Sequence, residues 1–175
     1  IGGGNFDYAT IKYNSAGDTV WVRKYNGPGD SFDQANSIVT DLSGNVYVTG
    51  FSTDSLYYYD YATIKYNSDG DQQWISRYNG TGNLADYAYS IALDGSGNAY
   101  VTGKSPGSGS DYDYVTIKYS ANTGDSAWVQ RYNGPANSID EARSIAVNGS
   151  GSVYVTGVSL GILTSFDYAT IKYST

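Results

Sequence analysis

The seven letters DYATIKY stand at residues 7–13 and return at 60–66; DYVTIKY fills 113–119, and DYATIKY comes back at 167–173. The first Asp of each copy follows the last by 53, 53 and 54 residues. Trp21, Trp74 and Trp128 keep the same step, as do Tyr47, Tyr100 and Tyr154 in YVTG. A period of this length is the signature of a repeat architecture, in which each unit covers its apolar faces only by stacking on its neighbours. The one extra residue falls in SANTGDSAW (120–128), against NSDGDQQW (67–74). Flanking phrases on both sides are intact, which is what an insertion in a surface turn leaves behind.

Each period holds four short segments, exemplified by AYSIALD (88–94), NVYVTG (45–50), DYATIKY (60–66) and QQWISRY (72–78). All are rich in Val, Ile, Thr, Tyr and Trp and are bounded by Gly, Asn, Asp and Ser, the composition of strands between tight turns. No stretch sustains a helical period. The chain is therefore expected to be all-β. Strict alternation along the first segment sets Ala88, Ser90 and Ala92 on one small face, opposite Tyr89, Ile91 and Leu93. The fourth segment carries the bulky Trp74 and Tyr78 instead. A unit small at one end and large at the other is a wedge, and four-stranded wedges packed radially are β-propeller blades.

The expected content is thirteen antiparallel strands. That is three blades' worth plus one extra strand, spread over repeat units at about 7–59, 60–112 and 113–166 with a final strand at 167–175. The whole of 1–175 reads as one partial or self-assembling propeller. The runs DYATIKYNSxGDxxWxxRYNG and DxAxSIxxDxSGNxYVTG resemble the beta-propeller repeat family abbreviated SBBP across essentially the full chain. The resemblance implies a secreted or cell-surface scaffold and brings no catalytic residue with it. The phrase DLSGNVYV is also similar to a turn of NHL-type repeats.

Composition narrows the function. The formal charge of −7 and only 10 Lys and Arg oppose a nucleic-acid partner. No apolar run is long enough for a membrane-spanning helix. With no Cys and no His, the usual nucleophile–base pairs cannot be assembled, and thiolate metal sites are excluded. The chain begins IGGGNFDY without Met, and a mature piece or fragment of a longer protein is expected. Propellers close with about 4–8 blades, so three blades call for a partner. That partner is the rest of a longer chain, a second copy completing a six-bladed ring, or an open stack of blades.

Features present in every copy read as architecture. Asp7, Asp60, Asp113 and Asp167 are taken as strand-entry residues whose carboxylates accept turn N–H groups. Lys12, Lys65, Lys118 and Lys172 are taken to lay their stems on the tyrosines of their own strand. Arg77 and Arg131, with Lys24 in the remaining copy, fit ion pairing or packing between blades. The turn DGSGN (94–98) resembles the opening of a calcium loop, but its sibling NGSGS (148–152) lacks the carboxylate and a tight hairpin explains all three copies. No metal or cofactor is expected.

Features that differ between copies read as function. The second-to-third segment loops are FSTDSLYYYD (51–60), KSPGSGSDYD (104–113) and VSLGILTSFD (158–167), equal in length and unlike in content. The loops between blades vary too, and both kinds emerge on one face of an up-and-down sheet. Tyr57, Tyr58 and Tyr59, with Phe32 and Asp33 on a neighbouring loop, are the candidate ligand-binding residues for a glycan or a protein segment. The expectation is thus a secreted or surface-exposed binding or adhesion scaffold, not an enzyme. A purely structural self-assembling module is the alternative. An acid-only glycan hydrolase is the remaining one, since paired carboxylates suffice for that chemistry.

Overall fold

A computed structural model describes residues 5–174. Thirteen strands run in chain order: β1 (Tyr8–Tyr13), β2 (Thr19–Tyr25), β3 (Asp33–Thr40), β4 (Val46–Thr53), β5 (Tyr59–Tyr66), β6 (Gln72–Tyr78), β7 (Tyr87–Leu93), β8 (Ala99–Pro106), β9 (Tyr112–Tyr119), β10 (Ser126–Tyr132), β11 (Asp140–Val147), β12 (Val153–Leu160) and β13 (Phe166–Tyr173). Each pairs antiparallel with its chain neighbour inside a sheet. The sheets are β1–β2, β3–β6, β7–β10 and β11–β13. They are two complete blades flanked by the outer two strands of one blade and the first three strands of another, so the expected count and class hold.

The sheets pack face to face, and each interface joins unlike faces. Tyr47, Tyr61 and Trp74 of one blade pack on Ala88, Ile91, Val101, Val115 and Ile117 of the next. Tyr8 and Trp21 meet Val46, Val48, Ala62 and Ile64 in the same way. So do Tyr100, Tyr114 and Trp128 with Ala142, Ile145, Val155 and Ile171. Each joint thus sets a tryptophan, with one or two tyrosines, on a mainly aliphatic face that adds one tyrosine of its own, Tyr66, Tyr119 or Tyr173, against the tryptophan. Polar bolts cross each joint: Tyr8 Oη donates to Ala62 O at 3.1 Å, Tyr61 Oη to Val115 O at 3.4 Å and Tyr114 Oη to Ala169 O at 3.3 Å. Trp21 and Lys12 both donate to Ser68 O, and Trp74 and Lys65 both donate to Ala121 O. The repeated phrase therefore names the residues that hold one blade to the next.

Simple alternation fails in the first strand of each blade. A bulge puts Asn36, Tyr89 and Arg143 between paired residues of β3, β7 and β11. The extra residue shifts the faces. Ala88 and Ile91 therefore share the aliphatic face, while Ala92 packs with the core on the other side. The expected small face Ala88–Ser90–Ala92 does not exist. The second strand answers the bulge with glycine: a Cβ on Gly103 would lie 1.9 Å from Tyr87 O and 2.8 Å from Tyr61 Oη, and Gly50 and Gly157 are as tightly enclosed. Threonines one step away pair across the second and third strands, as Thr49–Thr63, Thr102–Thr116 and Thr156–Thr170.

Other expectations are adjusted. Asp60 and Asp113 accept from Arg77 and Arg131, at 3.0 and 2.9 Å, rather than from turn amides. These arginines bind chiefly inside their own blade; only Arg77 reaches the preceding one, at Tyr25 Oη. Lys65, Lys118 and Lys172 lie over Tyr47, Tyr100 and Tyr154 of the second strand, not over the tyrosine of their own strand. Gly103→Ala forces its methyl into backbone and is expected to cost on the order of 2–3 kcal/mol. Gly149→Ala, with open space around it, is expected to change stability by less than about 0.5 kcal/mol. Denaturant titration of the two variants checks both.

Candidate functional site

Strand ends decide which loops share a face. The second-to-third strand connections and the blade-to-blade connections leave from the same end of each sheet. The former are shorter than the sequence suggests, because Thr53 pairs with Tyr59, Pro106 with Tyr112 and Leu160 with Phe166. Only residues 54–58, 107–111 and 161–165 remain outside the strands. Half of the variable letters, including Phe51, Lys104, Tyr59 and Tyr112, therefore belong to the rigid frame.

These residues form a continuous aromatic array. Phe32 stacks on Phe51 at 5.9 Å and meets Tyr59 at 6.1 Å. Phe51 contacts Tyr59 at 5.0 Å and Tyr87 at 4.9 Å. Tyr87 then meets Tyr89 at 6.4 Å and Tyr112 at 6.2 Å. Beyond the rings lies a charged group. Lys104 Nζ sits over Tyr112 at 4.3 Å and Tyr87 at 5.2 Å, and is ion-paired to Glu141. Glu141 also holds Arg143, whose guanidinium lies 4.8 Å from the Tyr89 ring. Burial, with Tyr112 and Tyr59 alongside, pushes the Tyr87 phenol up to about 12, so it stays a neutral donor. Burial is the largest influence on the Lys104 ammonium and works to lower it, but the hydrogen bond and charge of Glu141 together with Tyr89 and Tyr112 outweigh it and hold the group above its usual value.

Of the sequence candidates, the structure brings Phe32 and Tyr59 into this array. Tyr57 and Tyr58 stand exposed in the adjoining loop, and among the described residues neither stacks on another ring. Tyr57 adopts a φ of 65° there, a conformation unfavourable for a bulky side chain. Asp33 is enclosed: one oxygen accepts Gly27 N at 2.8 Å and the other Thr53 N at 3.2 Å. It is a loop anchor and does not present its carboxylate to a ligand. Asp86 and Asp140 do the same for Gly80 and Gly134.

Sequence reasoning missed Phe51, Tyr87, Tyr89, Lys104, Glu141 and Arg143. A signal existed. The first strands read DQANS, DYAYS and DEARS, so two letters vary inside a frame that otherwise repeats, and the second of them is the bulge residue. Asn36, the third bulge residue, donates to Ala88 O and accepts from Gln34. The repeated frame thus carries Gln34 and Asn36, Tyr87 and Tyr89, and Glu141 and Arg143 along the first strands of three consecutive blades.

The opposite face is occupied by its own hydrogen bonds. Asp94 accepts Ser96 N and Asn98 N on one oxygen, and Asn98 Nδ2 and Tyr100 Oη on the other. Burial works to raise this carboxyl, but those bonds outweigh it and hold it below the usual carboxylate value. Asp41 is held low in the same manner by Asn45 and Ser43. Between the two turns lies a shallow cleft of about 430 Å³ lined by Asp41, Leu42, Asp94 and Gly95. Among the described residues no three acidic side chains gather as metal ligands.

Asp86 gives a pH prediction. Burial pushes it from 3.8 up to about 6, against the hydrogen bond from Gly80 N. Between those values the folded chain holds a proton that the unfolded chain has released, so stability falls as pH rises from about 4 to about 6. Asp86→Asn is expected to remove this part of the fall, a difference of roughly 2–3 kcal/mol between the two profiles, read from denaturation curves at both ends of the window.

The comparison with known families agrees with the repeat and the strand order. Residues 20–58 and 73–109 match the family model described as a beta-propeller repeat, SBBP. Each match begins within a fourth strand and runs on to the connection between the second and third strands of the next blade. No curated protein matches the chain. The internal period extends the same pattern through β10–β13. The chain belongs to the SBBP beta-propeller repeat family.

Proposed function

We propose that the chain is a secreted or cell-surface propeller scaffold that binds a glycan along the rim formed by its first strands. One observation carries this reading. Phe32, Phe51, Tyr87 and Tyr89 of the ring array stand at positions whose equivalents in the other blades are not aromatic, and they join Tyr59 and Tyr112, which hold a position that is aromatic in every copy. Architecture alone asks for the same residue in every copy. Tyrosine faces supply flat apolar area against sugar C–H groups, and their hydroxyls, with Asn36, Gln34 and Arg143, supply the few polar contacts that orient a ligand.

The scaffold acts by holding its ligand rather than turning it over. Its enclosed acids are committed to the frame, Asp33, Asp86 and Asp140 on loop amides and Asp60 and Asp113 on arginines. An extracellular or surface location is the setting in which such glycans are met.

Tyr89 is the residue to change, because it sits on the rim, half-exposed and stacked on Tyr87. Tyr89→Ala is expected to weaken binding of a captured oligosaccharide at least about tenfold, in line with 1.4 kcal/mol or more for a lost ring contact. Tyr58→Ala in the adjoining loop is expected to change it less than about twofold. Glycan-array capture followed by calorimetry on folded variants checks both. Capture of peptides alone, or loss confined to Tyr58→Ala, refutes the rim reading.

A further inference from the structure

Four Asn-Gly pairs occur in the chain: Asn26–Gly27, Asn79–Gly80, Asn133–Gly134 and Asn148–Gly149. Such a pair is chemically unstable where its backbone is free, because glycine has no side chain to keep its nitrogen from the asparagine side-chain carbon. The first three pairs are equivalents, one in each blade-to-blade connection, and the fold locks them. Their glycines are buried. Gly27 N donates to Asp33 at 2.8 Å, Gly80 N to Asp86 at 2.7 Å and Gly134 N to Asp140 at 2.6 Å. Their asparagines are tied as well: Asn26, Asn79 and Asn133 each donate Nδ2 to the side chain four places on.

The fourth pair is different. Asn148 and Gly149 lie exposed in the turn between β11 and β12, and a Cβ on Gly149 would meet nothing within 4 Å. Asn148 Oδ1 accepts Ser150 N at 3.1 Å, Ser150 Oγ at 2.8 Å and Ser152 N at 2.9 Å. These bonds carry the side chain back over the Gly149 peptide. They also set donors on the oxygen that gains charge when its carbon is attacked. The openness belongs to the turn itself. In the two complete blades Leu42 and Gly95 hold the same place; Leu42 is exposed and Gly95 has nothing within 4 Å.

We propose that Asn148 is a site of spontaneous deamidation, the reactive one of the four Asn-Gly pairs, and that its aspartate product completes the acidic turn already built into the two preceding blades. This goes beyond the binding function and is independent of it. Gly149 N bonds to Asn148 Cγ and gives its proton to solvent, and the side-chain nitrogen leaves as ammonia. Water then opens the cyclic imide. Where it breaks the new bond at Cγ, the main chain is restored and a carboxylate stands at position 148. The balance is one amide and one water to one carboxylic acid and one ammonia. Opening at the other carbonyl puts an extra carbon into the main chain and costs the hairpin its Gly151 N to Asn148 O and Asn148 N to Ser152 O bonds.

The frame for the carboxylate is already present. Position 148 is the equivalent of Asp41 and Asp94, which accept the hydroxyls of Tyr47 and Tyr100 at 3.4 and 3.1 Å. Asp94 also lies 3.9 Å from Lys118 Nζ. Tyr154 and Lys172 are the equivalents in the last sheet, with Lys172 Nζ 5.7 Å from the Tyr154 ring. The amides of Ser150 and Ser152, which now bind the Asn148 oxygen, match those of Ser43 and Asn45 on Asp41.

The full chain is incubated at neutral pH in heavy-oxygen water, folded and, in parallel, unfolded in urea, and peptide mass mapping follows each pair. In urea all four pairs are expected to take up label. In the folded chain only the peptide holding Asn148 is expected to do so, and to co-migrate with the same peptide from Asn148→Asp. Gly149→Ala hinders the attacking nitrogen in a chain that stays folded, and is expected to slow labelling at least about tenfold, about 1.4 kcal/mol in barrier. Asn148→Asp is expected to raise the unfolding midpoint at neutral pH. An unlabelled Asn148 in the folded chain, earlier labelling of Asn26, Asn79 or Asn133, or a rate indifferent to Gly149→Ala overturns the site. Label confined to Asn148 in urea overturns the locking of the other pairs by the fold. A lower midpoint for Asn148→Asp, or an isoaspartyl product alone, overturns the acidic turn as the outcome.

Discussion

The structure depends on a tyrosine hydroxyl crossing from one sheet to the backbone of the next. Tyr8, Tyr61 and Tyr114 each bring an aromatic ring into an aliphatic surface and end on a carbonyl oxygen of the following third strand. The ring supplies apolar burial, and the hydroxyl satisfies a polar group that cannot reach water. Because donor and acceptor both lie in the same repeated phrase, each blade receives at one face and donates at the other. Polarity of this kind makes the stack directional.

A second constraint acts within each sheet. The bulge in the first strand crowds the second, and glycine is the residue that fits beneath it, with the tyrosine hydroxyl of the preceding blade pressing from the other side. Bulge, glycine and tyrosine are therefore coupled, and all three recur in each copy. What is released from the constraint is the identity of the bulge residue itself. Asn36, Tyr89 and Arg143 occupy one geometric position and share no chemistry. A fixed frame with a free side chain at its rim is how a repeat protein acquires a specific surface without altering its packing.

The candidate site was partly legible beforehand. Phe32 and Tyr59 were found from loop variability, and they do enter the array. Tyr57 and Tyr58 share the face but stand off the frame. Asp33 was misread because an acid beside aromatics looks like a ligand contact, whereas its neighbours Gly27 and Thr53 need an acceptor for their amides. Phe51 and Lys104 fall among the variable loop letters, but variability alone does not say which of those letters pair as strand and enter the array. Tyr89 and Arg143 lie inside first strands, and the bulge at those two positions is invisible to a count of alternate positions.

Period, strand number and blade order are local properties of the chain. They follow from β-branched and aromatic runs between turn residues, and they could be read from the letters alone. Which face each side chain takes was decided only in three dimensions, because a one-residue bulge reverses every assignment after it. Partners across the joints were decided there too. Tyr8 finds Ala62, and Lys104 finds Glu141, through the stacking of whole sheets, and no spacing along the chain contains that distance.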